Sequence, residues 1–97
     1  MNEHVLQRKA LGWVKSQYKD RVLAVNIHGG GYSNKGFPDL ILFGNKKAIA
    51  IELKAGTGYQ LQPEQKLWRD RFLKVGTPHY VVDNLDDFKQ IVKEEFR

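Results

Sequence analysis

The stretch from residue 36 to residue 54 constrains the fold more than any other part of the sequence, because two short apolar runs are joined there by a Gly-Asn-Lys junction. Such a junction is typical of the two-residue turn of a β-hairpin. If Asn45 and Lys46 form the turn, antiparallel pairing puts Asp39 opposite Glu52. Like charges on directly opposed residues lie about 5 Å apart at Cβ and are destabilising. We therefore expect a compensating group beside these two acids.

Lys54 is the nearest candidate for that group. Side chains two positions apart on a strand share a face, so Lys54 joins Glu52 and Asp39 while the intervening Leu53 points to the other side. Two carboxylates and an ammonium on one face predict a divalent metal site, because hard oxygen ligands suit Mg²⁺ or Mn²⁺. The lysine would then orient or deprotonate the attacking water.

Two other readings of the hairpin remain open at this stage. A turn at Gly44 and Asn45 shifts the pairing but keeps Asp39 and Glu52 on one face, whereas a three-residue loop separates them unless a bulge intervenes. The plain alternative to a metal site is that Glu52 and Lys54 are ordinary solvent-facing strand residues.

The remaining segments predict the order α-β-β-β-α-β-α. Helical periodicity covers residues 2–19 and 63–75, and Asn84 caps a third helix. Strands are predicted at 21–28 and 79–83, and glycine-rich loops at 29–36 and 55–62. The crossover of more than twenty residues before the last strand allows parallel pairing. We therefore expect an α/β fold, a four-stranded mixed sheet flanked by helices, in a single domain over residues 1–97.

Composition narrows the function classes. The chain has no cysteine, which excludes disulfides and thiolate metal sites, and no apolar run approaches the roughly 20 residues that a membrane span needs. The polar N-terminus has no signal-peptide pattern, so we expect an intracellular protein with no membrane partner. A net charge of +5 fits a polyanionic partner. A core this small also favours a homodimer.

Three further sets of residues are candidates for function. Gln65 is a polar residue on a helical stripe that also holds Trp68 and Phe72, which predicts either a structural hydrogen bond or a role beside Lys54. Glu3 could supply an acid from the first helix or only complement the helix dipole. The loops carry basic, hydroxyl and aromatic groups that are able to contact phosphates and stack on bases, or are simply solvated. These loop residues are His28, Tyr32, Ser33, Asn34, Lys35, Tyr59 and Gln60.

Three motifs together resemble one known family. They are the Gly-Phe-Pro-Asp-Leu segment ending at Leu40, Ile-Glu-Leu-Lys ending at Lys54, and the segment from Leu61 to Trp68 that contains Gln65. With them the chain resembles the virus-type replication-repair nuclease (VRR-NUC) family of the PD-(D/E)xK superfamily, whose members share a restriction-endonuclease-like αβββαβα core. The resemblance covers nearly the whole chain.

The resemblance implies roles for several residues. Asp39 and Glu52 would be metal ligands together with the Leu53 backbone carbonyl, Lys54 would help to activate the attacking water, and Gln65 would be the glutamine of the helix after the motif. Glu3 would fill the place of an acid in the first helix. The resemblance also implies a phage or bacterial protein that acts as a homodimer on branched DNA, as junction resolvases do.

The sequence therefore favours a Mg²⁺- or Mn²⁺-dependent DNA endonuclease, selective for branched DNA such as Holliday junctions and acting in DNA repair. A non-catalytic nucleic-acid-binding module with a nuclease-like fold is the alternative. A protein-interaction subunit is a third hypothesis, which predicts no salt-sensitive affinity for DNA.

Overall fold

The computed structural model describes residues 2–27, 35–56 and 58–97. Its helices and strands follow the predicted order, with a short 3₁₀ turn at Lys19–Arg21 after the first helix. They are α1 (Glu3–Tyr18), β1 (Leu23–Asn26), β2 (Leu40–Gly44), β3 (Lys47–Leu53), α2 (Pro63–Lys74), β4 (His79–Val82) and α3 (Leu85–Glu95).

The turn between β2 and β3 has the predicted two residues. Asn45 and Lys46 have φ values of 49° and 64°, as a type I′ turn requires at both central positions. Gly44 pairs with Lys47, and the register continues to Leu40 opposite Ile51. The next step of this ladder brings Asp39 to Glu52, so the alternative registers are excluded.

The four strands form one mixed sheet in the order β1-β2-β3-β4. The first three strands are antiparallel neighbours, and β4 lies parallel to β3 after the crossover through α2. The predicted four-stranded mixed sheet flanked by helices is therefore confirmed.

The two faces of the sheet differ in how they are covered. On the core face, alternate strand residues such as Leu42 and Ile51 pack against α1 and α3. The opposite face carries Ile41, Phe43 and Glu52, and α2 lies on it, where Phe72 contacts His79. Because α2 covers only the half of this face nearest β4, the cross-strand pair Leu23 and Phe43 stays 62% and 45% exposed.

The ends of the helices follow the predicted signals. The side chain of Asn2 caps α1 and that of Asn84 caps α3. Gly76, with φ of 85°, follows the end of α2, in the left-handed conformation expected of a glycine there. In the described residues, no helix is both long enough and apolar enough to cross a membrane.

Three details differ from the sequence-based expectation. The first strand is shorter than predicted, because Arg21 belongs to the 3₁₀ turn and pairing with β2 ends at Asn26. Val75 lies beyond the end of α2 and is 76% exposed, so it does not extend the core-facing stripe of that helix. Glu52 is buried rather than solvent-facing, which removes the plain alternative for this residue.

Candidate active site

Asp39 is tied to the ends of two neighbouring strands. Its backbone carbonyl accepts a hydrogen bond from the N–H of Ile27 at 2.8 Å, which continues the β1–β2 pairing by one step. Its side-chain Oδ2 accepts a second bond from the backbone N–H of Leu53 at 2.7 Å. These contacts hold the carboxylate at the end of the hairpin opposite the turn.

Glu52 lies beside Asp39 and is only 4% exposed, the only buried charged residue in the part of the chain that the structure describes. Burial raises the pKa of Glu52 to about 9, and the Asp39 carboxyl beside it raises this pKa further, while Lys54 opposes the shift. Among the described residues, its Oε1 atom is buried without a hydrogen-bond partner. Such an orphaned acceptor is costly unless a cation or a proton satisfies it.

Gln65 connects the other two predicted site residues. Its amide Nε2 donates to Glu52 Oε2 at 3.2 Å, and its Oε1 accepts from Lys54 Nζ at 2.9 Å. The same Oε1 accepts from the backbone N–H of Gln62 at 2.8 Å, which caps the first turn of α2. Gln65 thus makes the structural bond of one reading and also lies beside Lys54, where its role stays a prediction.

Glu3 lies in the first turn of α1 and is exposed. Its charge contributes to raising the pKa of Glu52, so it is close enough to act electrostatically on the site. Within the described residues it makes no hydrogen bond to Asp39 or Glu52. Its role as a ligand stays a prediction.

The donor set fits a hard divalent cation held by few protein ligands. Mg²⁺ sites commonly use one or two carboxylates and keep several waters, and Asp39 with Glu52 supplies two carboxylates and one unsatisfied buried oxygen. Across residues 2–27, 35–56 and 58–97, no group of three or more acidic, histidine or cysteine side chains could form such a site. The two carboxylates would therefore depend on a backbone carbonyl, such as that of Leu53, and on solvent.

The predicted nucleic-acid contacts are only partly within the described chain. Lys35 is exposed and lies 3.6 Å from Glu64, and both Tyr59 and Gln60 are exposed. His28, Tyr32, Ser33 and Asn34 lie outside the described residues. Contact with DNA stays a prediction for all seven.

Two contributors to the site carry little signal in the sequence. The Leu53 backbone N–H fixes Asp39, and a backbone donor has no residue type to reveal it. Gly36 approaches the backbone of α2 at Gln65, which is a long-range contact. The positive φ of 84° at Gly36 gives a glycine reason to stand there, but the loop's composition alone does not separate this glycine from its neighbours.

Nearly the whole chain is similar to solved structures, among them two VRR_NUC domain structures. One is a "VRR_NUC domain protein", with a TM-score of 0.73 and 20% identity over 96% of this chain and 86% of that one. The other is a "VRR_NUC domain", with a TM-score of 0.72 and 22% identity over 94% of each chain. No family model and no curated protein matches the sequence.

These similarities define the class of protein by its fold. The chain has the restriction-endonuclease-like α/β fold that VRR_NUC domains adopt. The restriction-endonuclease-like fold that the resemblance of the three sequence motifs implies is therefore confirmed.

Proposed function

We propose that the protein is a metal-dependent endonuclease that hydrolyses phosphodiester bonds in DNA. The observation that supports this function best is the connected cluster at the end of the hairpin, where Gln65 joins Lys54 to the buried Glu52 beside Asp39. An unpaired buried carboxylate oxygen is unfavourable for stability alone, which favours a functional reason for it.

Each residue has a distinct part in the proposed reaction. Asp39, Glu52 and the Leu53 carbonyl would hold Mg²⁺ or Mn²⁺, which polarises phosphoryl oxygens and offsets the charge that develops on the phosphate. The Lys54 ammonium would orient and polarise the attacking water, whose proton passes to solvent. Gln65 keeps the lysine ammonium at this position through the 2.9 Å hydrogen bond. Proximity of this kind is a major source of rate enhancement in phosphoryl transfer.

DNA is the proposed partner because the chain carries an excess of cations. The net charge of +5 supplies a sequence-independent attraction to phosphates. The segments flanking the hairpin carry three exposed residues, Lys35, Tyr59 and Gln60. Their side chains are of types that contact the DNA backbone or stack on a base. We propose branched DNA, Holliday junctions included, as the preferred substrate and the inside of the cell as the place of action.

We also propose that a second copy of the chain covers the bare half of the sheet. Leu23 and Phe43 form an exposed apolar pair there, and β1 is an outer strand of the sheet. Asp20 lines the same surface as Arg21 and Lys46. A two-fold axis brings such opposite charges into pairs across an interface, which supports self-association. Cutting a junction symmetrically requires two active sites, and a homodimer supplies them.

The cleavage experiment compares four labelled substrates: a Holliday junction, a flap, a duplex and a single strand. Each is incubated with the purified protein in Mg²⁺, Mn²⁺ or EDTA. We expect metal-dependent nicking that falls by at least roughly a hundredfold in Lys54→Ala, in line with the loss of a group that stabilises developing charge. Lys66→Ala is the matched control, because Lys66 is an exposed lysine of α2, next to Gln65 in the sequence.

The outcomes separate the two main hypotheses. Salt-sensitive binding without any nicking would identify a non-catalytic nucleic-acid-binding module. Nicking that survives Lys54→Ala, or that Lys66→Ala reduces equally, would contradict the assigned role of Lys54. Equal cleavage of all four substrates would reject selectivity for branched DNA while leaving the nuclease function in place.

A further inference from the structure

Helix α2 carries Gln65 but is weakly anchored in the protein. None of its side chains is fully buried, and Leu67 and Leu73 are half exposed. Tertiary packing supplies most of the stability of a helix this short. The position of Gln65 must therefore depend on specific contacts that fix α2 against the rest of the fold.

The segment just before Asp39 supplies such contacts. The indole Nε1–H of Trp68 donates to the backbone carbonyl of Lys35 at 3.1 Å. The ring of Phe37 meets Trp68 edge-on with centroids 4.9 Å apart, and it meets Phe72 at 5.5 Å. Two turns of α2 are thus tied to residues that lead directly into the proposed metal-ligating acid.

Gly36 makes the closest approach in this contact. A Cβ atom at Gly36 would lie 2.5 Å from the backbone C of Glu64 and 2.7 Å from the backbone N of Gln65. Both neighbours are backbone atoms of the first turn, so neither can swing aside as a side chain can. The absence of a side chain at Gly36 therefore sets how closely the start of α2 approaches the segment that leads into Asp39 and β2.

We propose that Gly36 and Trp68 are positioning residues for the active site: they hold the first turn of α2 where Gln65 reaches both Lys54 and Glu52. This inference rests on the proposed function for its effect on cleavage, but the positioning itself is independent of it. Gly36 and Trp68 act only through Gln65 and touch no reacting atom. Gly36 lies before the hairpin and Trp68 lies after it. Together they position the Gln65 amide against Glu52 and Lys54.

The test uses two variants and a control matched in backbone conformation. Gly36→Ala introduces the clash, and Trp68→Phe removes the indole N–H while keeping an aromatic ring for Phe37. Gly76→Ala is the control, since Gly76 has φ of 85° against 84° for Gly36 but no atom within 4 Å of an added Cβ. It places the same backbone strain at the other end of α2 without the clash.

The first measurement does not depend on activity. The side-chain amide signal of Gln65 is followed by NMR in the full chain, assigned through its loss in Gln65→Ala. Its hydrogen bond to Glu52 predicts protection from exchange. We expect that protection to fall at least roughly tenfold in Gly36→Ala and Trp68→Phe, and to change less than twofold in Gly76→Ala.

The second measurement is the cleavage rate. We expect kcat to fall by roughly tenfold in both variants, because Gln65 no longer holds Lys54 in position. A rise in KM with kcat unchanged would show that the variants act on DNA contact at Lys35 instead, and would contradict the proposal. If Gly36→Ala does not fold, Trp68→Phe decides the question. Loss of thermal stability without loss of Gln65 protection, or equal effects in Gly76→Ala, would overturn the proposal. If the wild-type protein cleaves no DNA but Gln65 protection behaves as expected, the proposed function fails and the positioning stands.

Discussion

The side chain of Asp39 accepts a hydrogen bond from the backbone N–H of Leu53 across the open end of the hairpin, at 2.7 Å. This bond follows the last regular pair of the ladder, Leu40 with Ile51. It joins the residue before β2 to the last residue of β3. Asp39 therefore has a structural role that is separable from its proposed role as a metal ligand.

Substitutions at Asp39 should separate these two roles. Asp39→Ala leaves the partly buried Leu53 N–H without its side-chain acceptor and should lower the free energy of unfolding by about 1–2 kcal/mol. Asp39→Asn keeps an oxygen acceptor and should cost less than half as much, yet both variants should lose cleavage. Urea denaturation in EDTA and the junction assay are the measurements. Equal destabilisation by Ala and Asn would contradict the hydrogen-bond role, and full cleavage by Asn the ligand role.

Glu52→Gln should stabilise the metal-free protein at neutral pH. Because the pKa of Glu52 is raised from 4.5 to about 9 on folding, its contribution to the free energy of unfolding is fully present below pH 4.5. That contribution is lost progressively as the pH rises toward 9. At pH 7 the loss of unfolding free energy is at most about 3.5 kcal/mol, taking about 1.4 kcal/mol for each pH unit above 4.5. The glutamine has no such pH dependence at this site.

Thermal unfolding in EDTA between pH 5 and 8 measures this effect. The Tm gap between Glu52→Gln and wild type should widen as pH rises. Glu94→Gln, at an exposed glutamate of α3, is the control and should show no widening. Added Mg²⁺ should narrow the gap, because a cation favours the ionised Glu52. A gap that stays constant with pH would show that burial does not perturb this carboxyl.

Glu95 should have the opposite pH dependence. A hydrogen bond donated by the Tyr80 hydroxyl lowers the pKa of Glu95, and the Lys47 ammonium at 3.0 Å lowers it further against the effect of burial. Its stabilising contribution is therefore present above pH 4.5 and is lost as the pH falls below that value. Since the pair is partly solvated, we expect under about 1 kcal/mol.

Glu95→Gln should remove the part of the fall in Tm at acidic pH, the acid limb of the profile, that comes from protonation of Glu95. Tm profiles between pH 3 and 7 should fall less steeply on acidification in the variant than in wild type. The same Glu94→Gln variant serves as the control, since Glu94 accepts only from the exposed Gln90 in the described contacts. Identical acid limbs in all three proteins would rule out a stabilising Tyr80–Glu95–Lys47 network.

Leu23→Glu should disrupt the proposed homodimer. A charge at the centre of the apolar pair with Phe43 cannot be buried against a second copy without a large desolvation cost. Light scattering should shift from the mass of two chains to that of one, 11.2 kDa. Leu73→Glu is the control, because Leu73 is also about half exposed but lies on α2. A wild-type protein that is monomeric at every concentration would refute the homodimer.

The hairpin could be predicted from sequence because its determinants are local. The Gly-Asn-Lys junction predicted a short turn but left its exact position open, and the structure places it at Asn45 and Lys46. Once the turn is known, the period of two along each strand fixes which residues face each other. The chain order also followed from local signals such as Asn84 and Gly76 at helix ends. The crossover between β3 and β4 was long enough in the sequence to allow parallel pairing of the two strands.

The contacts that complete the site could not be predicted in the same way. The Gly36 approach to α2 joins segments that no local pattern relates. The bond from Trp68 to Lys35 uses a backbone carbonyl, which every residue offers. The extent of Glu52 burial depends on how α2 lies over the sheet, and a hydrophobic stripe does not determine that placement.

The tight turn also restricts how this hairpin can change in length during evolution. A single inserted residue in β2 or β3 would move one acid to the other side of the sheet, unless a bulge absorbed it. Inserting the same number of residues in both strands would keep Asp39 opposite Glu52. Only an even number in each strand would also keep the two acids on the face of the sheet that Gln65 contacts. In relatives that retain the site, the number of residues between the turn and each acid should therefore differ from that of this chain by the same even number in both strands.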